Sequence, residues 1–219
     1  MNLPFTTEQF LEVFQNYNLS VWPMQVVLFL LGVIALYLGV KSRPASGKII
    51  SALLAFLWLW MGVMYHLVNF TTINTAAYAF GVVCIFQGAV FIYSGVFKGS
   101  LSFQFRSDRY GLTGALFVIY AMIIYPIIGY ALGHVYPKSP TFGLPCPTTI
   151  FTFGMLLWID KKVPPLVLAI PLLWSIIGFT AALSLGIRED IGLIVAGMVG
   201  TLLIIIRNRS GISGGKVEI

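Results

Sequence analysis

The sequence predicts an all-α integral membrane protein: a seven-transmembrane-helix bundle with an N-terminal amphipathic interfacial helix. Three observations predict this fold class. Of the 219 residues, 58% are apolar and only 9% are charged, and the mean hydropathy is +0.93. The apolar residues fall in long runs, and the basic residues lie in the short loops between them. A soluble domain carries about 25% charged residues because it needs a wetted surface, so the bilayer is the expected solvent.

This composition excludes a secreted disulfide scaffold, a nucleic-acid-binding domain and a disordered chain. The net charge of +6 does not indicate a polyanion partner, because the basic residues are scattered among short loops. The two cysteines, Cys84 and Cys146, are too few for a disulfide framework. Residues 1–20 contain Glu8 and Glu12 and lack a basic start, so no cleavable signal peptide is expected.

The first helix is predicted ahead of the first apolar run. Thr6 and Gln9 have the spacing of a capping box, which marks a helix N-terminus. Phe10 and Phe14 then recur at helical spacing between polar residues. We therefore expect residues 5–17 to form an amphipathic helix in the outer membrane interface, either as an anchor that caps the bundle or as a lid over an outward-facing site.

Seven apolar runs follow, and each is a candidate membrane span. A helix needs about 20 mostly apolar residues to cross ~30 Å of hydrocarbon. The predicted spans lie near residues 21–40, 49–70, 75–97, 110–132, 147–159, 164–185 and 191–206. At about 1.5 Å per residue the fifth run covers only about 20 Å, unless the preceding Gly-Leu-Pro-Cys-Pro segment dips into the membrane.

The distribution of lysine and arginine predicts the orientation of the spans. On one side of the membrane this topology places only Lys138 and Arg188. On the other it places Lys41, Arg43, Lys48, Lys98, Arg106, Arg109, Lys161, Lys162, Arg207, Arg209 and Lys216. Because cytoplasmic loops carry the basic excess, the N-terminus is expected outside and the C-terminus in the cytoplasm. Residues 1–209 then form one membrane domain, and the Gly- and Ser-rich residues 210–219 form a flexible tail.

One strongly titratable side chain, His66, lies inside a predicted span. An ionisable group at such a position is a functional-site hypothesis by default, and the alternative is a structural hydrogen bond. Asn69 lies one helical turn later, and Asn74 opens the third span at the same outer level. Gln87 lies deeper in the third span. These polar groups are the first set of candidate ligand-binding residues.

A second candidate stretch runs over residues 133–149 and contains four prolines. Prolines remove amide donors and disfavour regular helix, so an ordered outer loop is expected here. Thr148 or Thr149 can cap the helix that follows, and a helix N-terminus can bind an anion or a polar ligand. The alternative is a rigid loop that seals the bundle.

The topology brings both stretches to the same leaflet, together with Tyr125, Glu189 and Asp190. We therefore predict one outward-opening polar cavity bordered by His66 and residues 143–149. The predicted ligand-binding residues are His66, Asn69, Asn74, Gln87, His134, Cys146, Thr148 and Thr149.

No cofactor is predicted, although haem or a metal ion held by His66 and His134 is an alternative. Nucleophilic catalysis by Cys146 would need a base close to the thiol. No acidic residue stands in mid-membrane, where a proton-coupled pump would normally have one. Retinal attachment is excluded because no lysine lies inside a predicted span.

Four short runs resemble a known family. They are Met64–His66, Ile73–Gly81, the stretch from His134 that ends in Pro-Cys-Pro-Thr-Thr, and Ile170–Ser175. The chain resembles, from Leu3 to about Gly200, the bacterial multi-pass membrane proteins of unknown function catalogued as domain of unknown function 6064. The resemblance implies a location in the bacterial inner membrane. It carries over no activity and no catalytic residues.

Three classes of function are compatible with these features. The first is a small-solute permease or ligand-binding membrane protein with an outward-facing polar cavity. The second is an accessory or structural subunit of a larger membrane assembly, which the small-residue faces of several spans favour. The third is an intramembrane metal, haem or hydrolytic enzyme. The expected partners are the lipid bilayer, a small solute or other membrane subunits, and no nucleic acid.

Overall fold

The structure is a computed structural model that describes residues 4–210, and over this range the chain folds into helices joined by loops. The helices are α1 (Thr7–Ser20), α2 (Met24–Lys41), α3 (Ser46–Thr72), α4 (Ala77–Phe97), α5 (Arg109–Ala131), α6 (Pro145–Leu157), α7 (Pro165–Leu185) and α8 (Arg188–Arg209). Of the predicted tail, residues 211–219 lie outside the described range.

Six helices, α2 to α5 with α7 and α8, are long and apolar enough to cross a membrane. The chain is therefore a multi-pass membrane protein by the length and composition of its helices. The predicted fifth span corresponds to the shorter helix α6, which has 13 residues. Each predicted apolar run thus forms a helix, with bounds that differ by a few residues from those expected.

Helix α1 begins with the predicted capping box. The side chain of Thr6 accepts a hydrogen bond from the Gln9 amide at 3.2 Å, and the Gln9 side chain accepts one from the Thr6 amide at 2.9 Å. The helix ends at Ser20, three residues beyond the predicted end. Tyr17 and Asn18 are fully buried, so α1 packs against the bundle with its C-terminal half.

Helix α6 forms the centre of the bundle. All of its residues are buried except Cys146, which is partly exposed. Small residues let its neighbours approach: a Cβ atom added to Gly114 of α5 would lie 2.6 Å from the backbone oxygen of Gly154. A Cβ atom added to Gly200 of α8 would lie 2.9 Å from Phe153. Because it is buried on every side, α6 contributes to the core of the bundle rather than to the lipid-facing surface.

The segment that leads into α6 lies inside the bundle. Thr141 donates a hydrogen bond to the Asn18 side chain at 2.9 Å, and Phe142 contacts Gly32, well along α2. Gly143 has a φ of +101°, and an added Cβ atom would clash with Leu28. Only glycine takes this backbone conformation at little cost, so Gly143 allows the turn into α6 beside α2.

The bundle has two distinct ends. At the end that we call the α1 end, Asn18 donates hydrogen bonds to the backbone oxygens of Pro137 and Ser139, at 2.7 and 2.8 Å. We call the opposite end the basic end. There the backbone amide of Gln104 donates a hydrogen bond to the backbone oxygen of Trp158 at 2.7 Å, and the amide of Phe105 donates one to the oxygen of Gly39 at 3.0 Å. These bonds tie the 98–108 loop to α2 and to the end of α6.

A buried arginine closes the basic end of α6. Arg207 of α8 donates hydrogen bonds to the backbone oxygens of Leu157 and Leu156, at 2.9 and 3.3 Å. Its guanidinium also lies 5.6 Å from the centre of the Tyr110 ring. The last carbonyls of a helix lack partners within the helix and carry partial negative charge, so this cation stabilises the end of α6.

Candidate functional site

The candidate site is a cavity of about 170 Å³ at the α1 end, between α1, α3, α7 and the start of α6. Aromatic rings from five parts of the chain form much of its wall. They belong to Phe5, Phe10, Phe14, Tyr65, Phe70, Phe80, Tyr125 and Trp174. The prediction of a polar cavity is wrong in this respect, because the wall is mainly aromatic and aliphatic.

The polar part of the wall centres on Asp190 at the start of α8. Its carboxylate accepts a hydrogen bond of 2.7 Å from the Tyr125 hydroxyl, and both side chains are buried. The Cys146 thiol lies beside the same carboxylate and also lines the cavity. A carboxyl group on an apolar wall can bind a ligand donor strongly, because charge-assisted hydrogen bonds are strong and little water competes for it.

A second acid, Glu189, stands next to Asp190 and holds the loop over the site. Its Oε1 atom lies 2.7 Å from Nδ1 of His134, and its backbone oxygen accepts a hydrogen bond from Tyr120. Glu189 is fully buried, and its Oε2 atom has no hydrogen-bond partner among the described residues. His134 therefore serves as a tie between the 132–144 loop and α8.

His66 lies one aromatic layer behind the cavity. Its ring centre is 4.9 Å from that of Trp174 and 5.8 Å from that of Phe80, and both of these neighbours line the cavity. His66 itself is fully buried and is not on the wall. The prediction that His66 borders the cavity is therefore corrected: aromatic rings separate the imidazole from it.

The imidazole of His66 also forms no hydrogen bond with the described part of the protein. Neither ring nitrogen has a partner among the described residues. The side-chain NH2 group of Asn69 donates to the Met64 oxygen at 2.6 Å, and that of Gln87 donates to the Val167 oxygen at 3.1 Å, so both donors are engaged elsewhere. The π-helical segment Met61–Asn69 widens α3 around His66, and such segments are frequent at functional sites.

Two of the predicted ligand-binding residues, Asn74 and Cys146, do line the cavity. Asn74 accepts a hydrogen bond from the Ala76 amide at 3.0 Å, which orients its side chain at the start of α4. His66, Asn69, Gln87, His134, Thr148 and Thr149 are not on the wall. Their roles in binding stay predictions.

The predicted cap of α6 is wrong. We expected Thr148 or Thr149 to be the N-cap, but the helix begins at Pro145 and its N-cap is Leu144. The amide groups in the first turn of a helix have no acceptor within the helix. Pro145 and Pro147, which lack an amide hydrogen, therefore fit there without the loss of a hydrogen bond. Both threonine side chains are buried inside α6 instead.

Sequence reasoning missed the aromatic wall and the pairing of Tyr125 with Asp190. The rings come from positions spread between Phe5 and Trp174, and only the fold brings them together. One signal was present in the sequence: Glu189 and Asp190 are adjacent acids between two apolar runs.

The two histidines named in the haem and metal alternative have separate surroundings. His66 lies among aromatic rings, whereas His134 bonds Glu189. Within residues 4–210, no group of three or more His, Cys, Asp and Glu side chains is arranged to hold a metal ion.

Comparison with known proteins agrees with the resemblance of the short runs. The family described as "Family of unknown function (DUF6064)" matches residues 7–212 of the chain, which is nearly its whole length. No curated protein matches the chain, and no solved structure matches it.

Proposed function

We propose that this chain, which belongs to the family of unknown function DUF6064, is a membrane protein that binds a small, mainly apolar molecule in the cavity at the α1 end. The observation that carries the proposal is a cavity with an aromatic wall and the carboxyl of Asp190 at its edge. Ligand pockets combine an apolar lining with a few placed polar groups in this way.

The size and chemistry of the cavity define the ligand class. A dry cavity of about 150 Å³ in another protein binds benzene, so a volume of about 170 Å³ suits a single aromatic or cyclic aliphatic body. The partner for Asp190 would be a hydrogen-bond donor, such as an amine or a hydroxyl group. This ligand is more apolar than one that would suit the polar cavity expected from the sequence.

The position of the exposed wall residues suggests a route of entry. Thr180 and Ala181 of α7 line the cavity and are also accessible at the surface of the bundle. A ligand of this chemistry partitions into the bilayer and would enter between α7 and the start of α4. Binding is favoured over permeation, because Phe151, Phe153 and Leu157 of α6 are fully buried below the cavity and fill the axis of the bundle.

We also propose that the chain crosses the membrane seven times, with the N-terminus outside and the basic end in the cytoplasm of a bacterial plasma membrane. Helix α6 begins near Leu28 and Asp190 on the α1 side and ends beside Arg207 at the basic end. The largely buried 139–144 segment adds to its length. The basic residues of the 41–48, 98–109 and 161–162 segments and of the end of α8 support the orientation.

The binding proposal is tested with the full-length protein in neutral detergent. The probes are benzylamine, benzyl alcohol and benzoate, which share a ring and differ in their polar group. We expect the amine and the alcohol to raise the thermal unfolding temperature in a concentration-dependent way, because a ligand that binds the folded state stabilises it. Benzoate should not, because its carboxylate would face that of Asp190.

Two variants locate the effect. Ala181→Leu places a larger side chain in the cavity and should abolish the stabilisation, whereas Ser184→Leu adds a similar side chain on an exposed part of the same helix and should preserve it. If all three probes act alike in the wild type, or if the two variants behave alike, the proposed site is wrong.

A further inference from the structure

A second pocket lies at the basic end of the bundle, and it shares no lining residue with the cavity at the α1 end. Its volume is about 390 Å³, and it is bounded by the loop between α2 and α3, the 98–108 loop and the loop between α6 and α7. Its lining includes three basic side chains, Arg43, Lys48 and Lys161, and the hydroxyl residues Ser42 and Ser102.

The backbone around this pocket is fixed by close contacts. A Cβ atom added to Gly47 would lie 2.5 Å from the Leu101 oxygen, so this glycine allows α3 to touch the 98–108 loop. The backbone amide of Arg43 donates a hydrogen bond to the Ser46 hydroxyl at 2.9 Å, and the amide of Asp160 donates one to the backbone oxygen of Ser102 at 3.0 Å. The three loops therefore present their basic side chains from an ordered frame.

The basic side chains of the pocket are not paired with acidic side chains in the part of the chain that the structure describes. Within residues 4–210, neither Arg43, Lys48 nor Lys161 forms a salt bridge. The nearby acid Asp160 accepts a hydrogen bond from the Ser102 side chain at 3.2 Å and is not part of the lining. Three cations that converge on one pocket repel one another, and a bound anion would relieve this repulsion.

We infer that this pocket binds a phosphate group, carried either by the headgroup of an anionic lipid or by a free phosphate anion. Basic pockets between membrane helices recognise lipid headgroups in this way. Arg43 can donate two parallel hydrogen bonds to phosphate oxygens, while the lysines act as point charges. The serine hydroxyls are further donors. This inference does not depend on the cavity at the α1 end.

The test uses two variants of the full-length protein that lose the same number of charges at the same end. The first, Arg43→Gln/Lys48→Gln/Lys161→Gln, removes the basic side chains of the pocket. The second, Lys41→Gln/Lys162→Gln/Arg209→Gln, removes exposed basic side chains that do not line it. All six side chains are exposed, so both variants should fold, and unliganded thermal unfolding checks this.

Two probes distinguish the sources of phosphate. Short-chain phosphatidylglycerol and phosphatidylcholine are compared by native mass spectrometry, and inorganic phosphate is compared with chloride at equal ionic strength by thermal unfolding. Preferential binding of phosphatidylglycerol supports a lipid headgroup, and stabilisation by phosphate alone supports a free anion. In either case we expect at least about tenfold weaker binding for the pocket variant than for the control variant.

The inference is overturned if neither probe binds preferentially to the wild type. It is also overturned if both variants lose affinity equally, because the attraction would then come from the total charge of the basic end and not from the pocket.

Discussion

The hydroxyl of Tyr125 donates a hydrogen bond of 2.7 Å to the carboxylate of Asp190, and this bond joins α5 to the start of α8 beside the cavity. Next to it, Glu189 holds His134 of the 132–144 loop. The two adjacent acids therefore have different roles. Glu189 holds the 132–144 loop, and Asp190 places a carboxyl group on the wall of the apolar cavity.

Replacement of Tyr125 by phenylalanine should lower stability. The variant Tyr125→Phe keeps the ring but leaves a buried oxygen of Asp190 without its donor, which costs about 1 to 3 kcal/mol of unfolding free energy. Tyr130→Phe, on the same helix, is the control, because Tyr130 is 70% exposed. Thermal unfolding of both variants in one detergent measures the difference. Equal unfolding temperatures would mean that the hydrogen bond contributes nothing.

Replacement of Arg207 should weaken the basic end of α6. Arg207→Met retains much of the packing volume but removes both hydrogen bonds to the last carbonyls of α6, and we expect a loss of roughly 1 to 3 kcal/mol. Arg209→Met on the exposed end of the same helix should change stability little. Hydrogen exchange of the Leu156 and Leu157 region would localise the effect. Unchanged protection there would contradict the capping role.

A pH-dependent contribution to stability is expected at Asp108, the N-cap of α5, which lies outside the membrane-spanning segments. Its pKa is lowered from 3.8: partial burial acts to raise it, but hydrogen bonds from the Gly111 amide and Arg106 outweigh that effect. A carboxyl whose pKa is lower in the folded state stabilises the fold above its unfolded pKa, and the contribution disappears as the pH falls through the folded pKa.

The variant Asp108→Ala measures this contribution. At pH 7 it should unfold about 1 kcal/mol more easily than the wild type, because an N-cap is lost. The difference should narrow as the pH is lowered below about 4, the usual unfolded pKa of aspartate. A difference that stays constant between pH 7 and pH 3 would show that the charge of Asp108 does not matter.

Cysteine labelling of intact cells tests the seven crossings. In a chain that also carries Cys84→Ala and Cys146→Ala, Val135→Cys in the loop before α6 should react with a membrane-impermeant maleimide from outside, whereas Lys162→Cys in the loop after α6 should react only after permeabilisation. Both positions are exposed. If both react from the same side, α6 does not cross the membrane; if only Lys162→Cys reacts from outside, the orientation is reversed.

The sequence was sufficient to predict the helices and the capping box, because these depend on local patterns. Apolar runs gave the six long helices, and the spacing of Thr6 and Gln9 gave the start of α1. Helix α6 begins at Pro145, two residues before the predicted start, because prolines fit the first turn of a helix, where no amide donor is required.

The site could be predicted only in part. A sequence indicates depth along a span but not which helices are neighbours. The adjacency of Tyr125 and Asp190, and the rings that separate His66 from the cavity, depend on how α3, α5, α7 and α8 pack. Cys146, in the first turn of α6, and Asn74, in the turn before α4, line the cavity because both lie at the α1 end, at the depth that the sequence indicates.

Binding in the cavity at the α1 end is tested by crystallography of the protein soaked with 4-bromobenzylamine, since the bromine atom can be located by its anomalous scattering. We expect a bromine peak inside the cavity, beside Phe80 and Trp174, with the amine within hydrogen-bonding distance of the Asp190 carboxylate. Bromine found only on the lipid-facing surface, or a cavity filled by the side chains of its own wall, would contradict it.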